Sequence, residues 1–318
     1  MIEVQHLTKF YGEKLAVDDL SFAVGRGEVL GFLGPNAAGK STTMRMITGF
    51  LPPTSGTAAI GGNDIIKNSL QARKKIGYLP ENAPAYPDMT VVGFLGFVAG
   101  IRGFSGAFKK TRMEETIERC FLSEVRHQPI STLSKGFKQR VCFAQSIIHD
   151  PEYLIMDEPT DGLDPNQKHE VRIMIREMAL DKTIILSTHI LEEVEALCSR
   201  AIIIARGRIV ADDTPSGLKA QSSLHGAVHF TVRKVNGDDP LSHLGDIPEV
   251  ERVDVVSENE SYITLRAFPK NPADPPATEI MDRLVQNDFT VHGFEVESGR
   301  LDEVFRTVTS ADAAEVEK

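Results

Sequence analysis

The sequence predicts an α/β fold with a mainly parallel sheet, an antiparallel β part at the N-terminus, a helical insertion and a small α+β domain at the C-terminal end. Three observations predict it. Short apolar runs at 28–33, 153–157 and 183–187 lack polar alternation, as strands buried on both faces require. Stretches of helical period separate them, which is the pattern of a parallel sheet covered on both sides. After about Ser223 the pattern changes: Val228, Phe230 and Val232 alternate with polar residues, as in an antiparallel strand with one wet face.

In order along the chain, strands are expected at 2–7 and 20–24, with Phe10, Tyr11 and Gly12 between them. A strand at 28–33 runs into a glycine turn and a helix over 40–50. A strand ending at Ile60 and a turn at 61–64 follow, and a buried strand at 75–80 enters a loop carrying Glu81, Pro84 and Pro87. Residues from about 88 to 150 read as a helical insertion. Strand 153–158, helix 171–180, strand 183–187, helix 190–199 and strands 201–205 and 208–211 bring the first domain to 1–222. A second domain over 223–309 carries alternating strands, a proline-rich loop at 270–278, a helix at 279–287, a strand at 291–296 and a helix at 301–308. Residues 310–318 read as a disordered tail.

The chemistry is concentrated in a few motifs. Gly34, Pro35, Asn36, Ala37, Ala38, Gly39, Lys40, Ser41 and Thr42 satisfy G-x-x-x-x-G-K-[ST]. Small residues let successive backbone N–H groups converge on phosphate oxygens, Lys40 can reach the β- and γ-phosphates, and the Ser41 hydroxyl can ligate Mg²⁺. The dipole of the following helix favours the same anion. A chance glycine turn ahead of a helix is the bland alternative.

Asp157 and Glu158 end a strand where open α/β sheets bind ligands, and as neighbours they point to opposite faces. Asp157 suits Mg²⁺; Glu158 suits orienting or deprotonating a water, an effect of about 10²–10⁴-fold in rate. Two idle, solvated acids would read the same way in isolation. Ser134 is a candidate N-cap for the helix opened by Lys135, Gly136 and Phe137, and that terminus could bind a γ-phosphate or be a plain capped basic helix. His189, after a buried strand, could contact the γ-phosphate or be structural. Glu81 could be plain surface, and Tyr11 either stacks on adenine or packs its strand.

Taken together and in this order, the glycine loop, Leu133-Ser134-Lys135-Gly136, Asp157-Glu158-Pro159-Thr160, Gly162-Leu163-Asp164-Pro165 and Ser187-Thr188-His189 resemble the nucleotide-binding subunit of ATP-binding cassette (ABC) transporters over residues 2 to about 220. The signature form and the trailing domain resemble bacterial exporter ATPases, including the gliding-motility type. The resemblance implies ATP and Mg²⁺ as ligands and a head-to-tail homodimer around two ATP. It implies that Ser134 and Gly136 of one subunit complete the site of Lys40 and Glu158 in the other, with Asp164 across the same interface. It also implies His189 on the γ-phosphate, Tyr11 facing adenine, Glu81 beside Mg²⁺ with Ser41 and Asp157, and a polytopic permease gripped near Glu81. Three positions depart from the family pattern: Ala37 and Lys135 stand where glycine is usual, and Glu81 where glutamine is usual.

Composition sets the outer limits. The 318 residues carry a formal charge of −10, which argues against a broad nucleic-acid surface. Residues 1–12 contain no apolar h-region, and Cys120, Cys142 and Cys198 are isolated, so a reducing, cytoplasmic setting is expected, and the resemblance implies a peripheral place on the inner face of the membrane. A soluble ABC ATPase acting on ribosomes or nucleic acid is the alternative, weakened by the single phosphate loop and the absence of sustained heptads. A module that binds ATP without hydrolysing it is disfavoured by the presence of Glu158 and His189.

Overall fold

The computed structural model describes residues 1–81, 85–234 and 240–315, and it divides into one unit of 1–215 with the chain end from 308, and a second of 216–307. In the first, β1 (Ile2–Tyr11) and β2 (Lys14–Val24) form a hairpin whose turn is eased by Gly12 at φ 60°. The apolar run becomes β3 (Val29–Leu33), buried along its whole length, and the glycine loop then opens α1 (Lys40–Ile47). Strands β4 (Ser55–Ile60) and β5 (Asn63–Asp64) complete an antiparallel sheet of order β2-β1-β4-β5. Helix α2 (Ser69–Lys75) leads into β6 (Ile76–Leu79).

The insertion consists of α3 (Val91–Ile101), α4 (Gly106–Arg119) and α5 (Lys135–Ile147). Then come β7 (Tyr153–Asp157), α6 (Pro165–Ala179), β8 (Thr183–Thr188), α7 (Leu191–Leu197), β9 (Arg200–Ala205) and β10 (Arg208–Asp213). The main sheet has the order β10-β9-β3-β8-β7-β6, parallel except for the β10 edge. Its two faces carry separate cores. One packs Leu154, Met156 and Leu186 against Phe143, Leu95 and Met174 of the helices; the other packs Leu30, Phe32 and Ile155 against Met44 and the hairpin's Ile2 and Leu20. Fully burying side chains of this size contributes roughly 1.5–3 kcal/mol each. Burial also pushes the thiols of Cys120, Cys142 and Cys198 up to about 12.

The second unit carries β11 (Val228–Arg233), β12 (Val250–Glu258), β13 (Tyr262–Pro269) and β14 (Val291–Val296) as an antiparallel sheet of order β12-β13-β11-β14. The expected alternation holds in β11, where Val228, Phe230 and Val232 face a core closed by Ile280 and Leu284 of the helix at Ala277–Gln286.

Several boundaries differ from expectation. The division falls after Pro215 rather than at 222, because Ser222 and Ser223 are tied by hydrogen bonds to Glu303 of the second unit. Helix α6 starts at Pro165 rather than 171, since Asp164 caps it and proline suits the first turn. Helix α2 and strand β12 have no counterpart in the sequence reading: α2 is short and polar, and β12 is largely exposed. The expected tail is instead helical from Leu301 through Glu315, as its alanine and glutamate content favours. The loop expected at Pro84 and the tail at 316–318 lie outside the described residues.

Candidate active site

Four strand ends of the parallel sheet place the predicted residues along one edge. Beyond β3, the loop makes close backbone approaches that only glycine permits: a Cβ on Gly34 would lie 2.4 Å from the Ile204 carbonyl oxygen, and Gly39 sits at φ +111°. Ala37 occupies the left-handed region too, at φ 64°. The departure from glycine is therefore one that strains the backbone, by about 1 kcal/mol. Lys40, the first residue of α1, folds back so that its Nζ donates to the carbonyls of Gly34 at 2.7 Å and Pro35 at 3.2 Å. Burial lowers its pKa, opposed by the charges of Glu158, Asp157 and Glu81, which also places Glu81 within electrostatic reach.

At the end of β7, Asp157 is buried; its Oδ1 accepts from the Ser41 hydroxyl at 3.1 Å and from the Ser187 hydroxyl. Its Oδ2 is also buried and has no hydrogen-bond partner. A carboxylate oxygen left in that condition beside a serine hydroxyl fits a hard cation, so Ser41 and Asp157 suit Mg²⁺. Glu158 turns the chain at φ 51° and its N–H donates to the Ser187 carbonyl at 3.1 Å. Its carboxylate lies between the Lys40 ammonium and the His189 imidazole: Lys40 Nζ is 3.8 Å from Oε1, and His189 Nδ1 is 2.9 Å from Oε2. His189, 46% exposed against 11% for Glu158, is the open side of that pair.

The other predicted residues stand apart from this cluster. Ser134 caps α5 by accepting from the Phe137 N–H at 3.4 Å, as its position predicts. A Cβ on Gly136 would meet the Gln167 side chain at 2.2 Å, so glycine lets α5 approach α6 there. Asp164 caps α6 through the Gln167 N–H at 3.0 Å. Lys135 pairs with Asp161 at 3.2 Å. Tyr11 is 47% exposed with Lys9 Nζ over its ring, 5.5 Å from the centroid. Sequence reasoning gives no role to Ser187, which orients Asp157, nor to Thr160, Thr188 and Glu193, which are buried together behind the edge. Both threonines lie inside quoted motifs; Glu193 has no sequence signal of its own.

A family model described as ABC transporter matches residues 17–161. The Nod factor export ATP-binding protein I of Paraburkholderia xenovorans is 38% identical over 270 residues, covering 84% of this chain and 87% of that protein. The linearmycin resistance ATP-binding protein LnrL of Bacillus subtilis is 34% identical, covering 83% and 88%. The probable multidrug ABC transporter ATP-binding protein YbhF of Escherichia coli is 40% identical over 225 residues, but the chain spans only 39% of its length. Among solved structures, one titled as the ATP-binding subunit of an ABC transporter superposes with TM-score 0.64 at 31% identity, over 70% of this chain and 92% of that one. A dimeric bacterial ABC transporter cassette shares the fold, with TM-score 0.63 at 23% identity, over 68% of this chain and 99% of that one.

Proposed function

This chain belongs to the ATP-binding proteins of ABC transporters, and from that premise we propose that it binds and hydrolyses ATP as one of two copies that drive a separate membrane permease. The observation that carries this reading is the convergence of Lys40, Asp157, Glu158 and His189 at one sheet edge, with Asp157 Oδ2 unpartnered and Glu158 poised between Lys40 and His189. On ATP binding, Lys40 exchanges the Gly34 and Pro35 carbonyls for β- and γ-phosphate oxygens, and the backbone N–H groups from Gly34 to Thr42 cradle the phosphates. Ser41 and Asp157, with Glu81, would hold Mg²⁺, which when bound would supply charge neutralisation for the phosphates. Glu158 orients the attacking water and accepts its proton. His189 holds Glu158 in place and contacts the γ-phosphate.

Ser134 and Gly136 complete the partner copy's site, Asp164 lies at the interface between copies, and Tyr11 faces adenine. The permease docks on the insertion, at the inner face of the membrane. Supporting this, Tyr86, Phe97, Ile101 and Phe108 are all exposed there, and Tyr86 meets Phe97 edge-on at 5.5 Å. Apolar side chains gathered in this way fit a protein contact rather than solvent. The relatives named for export and resistance support outward transport over action on ribosomes or nucleic acid. Among the described residues no helix is long and apolar enough to cross a membrane. The unit of 1–215 holds the nucleotide, and among the described residues no cluster in the unit of 216–307 suggests catalysis.

The test is Glu158→Gln in the full chain. With Mg-ATP it should keep nucleotide binding, lose about 10²–10⁴-fold in turnover and accumulate as a dimer on gel filtration. Unchanged turnover would refute the role given to Glu158.

A further inference from the structure

Strands β7 and β8 are parallel neighbours with Asp157 opposite Ser187, so the loops carrying Glu158 and His189 leave the sheet side by side. Beyond that point a main-chain bond from the Glu158 N–H to the Ser187 carbonyl at 3.1 Å joins them, but it does not reach His189. A carboxylate ties them further. Glu193 lies on α7, one turn past His189, and is 1% exposed. Its Oε1 accepts the hydroxyl of Thr160, two residues after Glu158. Its Oε2 accepts the hydroxyl of Thr188, the residue before His189, at 3.0 Å. Thr188 Oγ1 in turn accepts the Ile190 N–H at 3.0 Å, which leaves its single proton for Glu193.

An acid in such a place is expensive. Burial holds the Glu193 carboxyl above its ordinary range, opposed by the Thr188 hydrogen bond and the charges of Lys168 and Arg172. An apolar side chain would hold α7 against the sheet at lower cost. What an apolar residue could not do is grip two loops at once through two oxygens on one rigid group. The contact those loops must deliver is His189 Nδ1 to Glu158 Oε2 at 2.9 Å.

We propose that Glu193 is a positioning residue for hydrolysis: it ties the Thr160 and Thr188 hydroxyls together and so sets the distance between Glu158 and His189. The inference rests on the reading of Glu158 as the group that activates water. Both Glu193 oxygens are committed to threonines, so the residue acts on the geometry of the reaction rather than on nucleotide affinity. A displacement of about 1 Å at a reacting group lowers rate on the order of 10²-fold.

The experiment compares the wild-type full chain with Glu193→Gln, alone and in a His189→Ala background, reading kcat, KM for Mg-ATP and thermal unfolding. Glutamine keeps the volume, but its N–H₂ group can only donate, so the threonine hydroxyl facing it must reverse from donor to acceptor and its own proton loses the carboxylate. The expected result is a loss in kcat of about 10–100-fold with KM within about threefold. On top of His189→Ala, the further loss should be under about threefold, because the geometry Glu193 protects is already gone. A kcat within about twofold of wild type overturns the proposal. So does a full multiplicative loss in the double variant, or a loss shared equally by KM and melting temperature, which is what a purely structural carboxylate would give. Should Glu193→Gln fail to fold, Thr188→Val removes one arm at equal volume and is judged by the same outcomes. Wild-type hydrolysis that survives Glu158→Gln would sink the catalytic reading itself; hydrolysis that needs Glu158 but not Glu193 sinks only this inference.

Discussion

The two edges of the main sheet both bury ionisable groups, and they use them in opposite ways. At the edge where the strands begin, Lys182 and His149 are held by protein partners, although His149 Nδ1 stays buried without one. Lys182, just before β8, donates from Nζ to Asp150 at 2.7 Å and to the Pro151 carbonyl at 2.9 Å, joining the approaches to β7 and β8. His149 donates from Nε2 to the Ile76 carbonyl at the start of β6 at 3.0 Å. At the edge where the strands end, capacity is left over: Asp157 keeps a buried oxygen without a partner, and Lys40 is held by carbonyls that a phosphate can replace. One edge stabilises and the other reacts. The difference lies in what is left over: an imidazole nitrogen at one edge, and at the other a carboxylate oxygen beside the Ser41 hydroxyl and a lysine held only by displaceable carbonyls.

The largest effect expected from this contrast is at the reacting edge. Glu158→Gln should reduce kcat by about 10²–10⁴-fold while urea unfolding shifts by less than about 1 kcal/mol. A comparable loss of stability would erase the contrast. Next comes the pH dependence of the opposite edge. Burial pushes His149 down to about 4, below its ordinary 6.5, so between these values the unfolded chain is protonated and the folded one is not. Stability is therefore full above pH 6.5 and should fall by about 2–3 kcal/mol as pH drops toward 4. His149→Gln should flatten that slope in urea titrations without changing kcat at pH 7.5.

Lys182→Met sharpens the same point. It should lower stability by about 1–3 kcal/mol and leave KM for ATP unaltered. Asp164→Ala should cost about 1 kcal/mol through the lost cap on α6, and the paired Glu158→Gln variant should then fail to accumulate as a dimer. Retention of the dimer would confine Asp164 to its capping role. The smallest change runs the other way: Ala37→Gly should raise the unfolding free energy by about 1 kcal/mol, since alanine there sits at φ 64°.

The reacting edge was legible because its chemistry forces residue types into fixed local spacing. Lys40 and Ser41 must follow the glycine turn, and Asp157 and Glu158 must close a strand. The stabilising edge left no such trace. His149, Asp150 and Lys182 are ordinary in sequence and acquire their roles only when β6, β7 and β8 come together. Glu193 was hidden for the same reason: nothing in a helix after His189 marks which acid turns inward. Strand β12 escaped because its side chains are largely exposed and show no alternation, and the C-terminal helix because its polar composition reads equally as disorder.

Cys120 and Cys142 are buried and Cys198 half-buried, which has a practical consequence. With thiols raised to about 12, the thiolate fraction at pH 7 is on the order of one in 10⁵, and maleimides or nitroxide reagents should react with all three far more slowly than with an exposed cysteine. A single reporter cysteine at an exposed position such as Leu180 can then be labelled in the otherwise unaltered chain, allowing distances between two copies to be followed through a catalytic cycle.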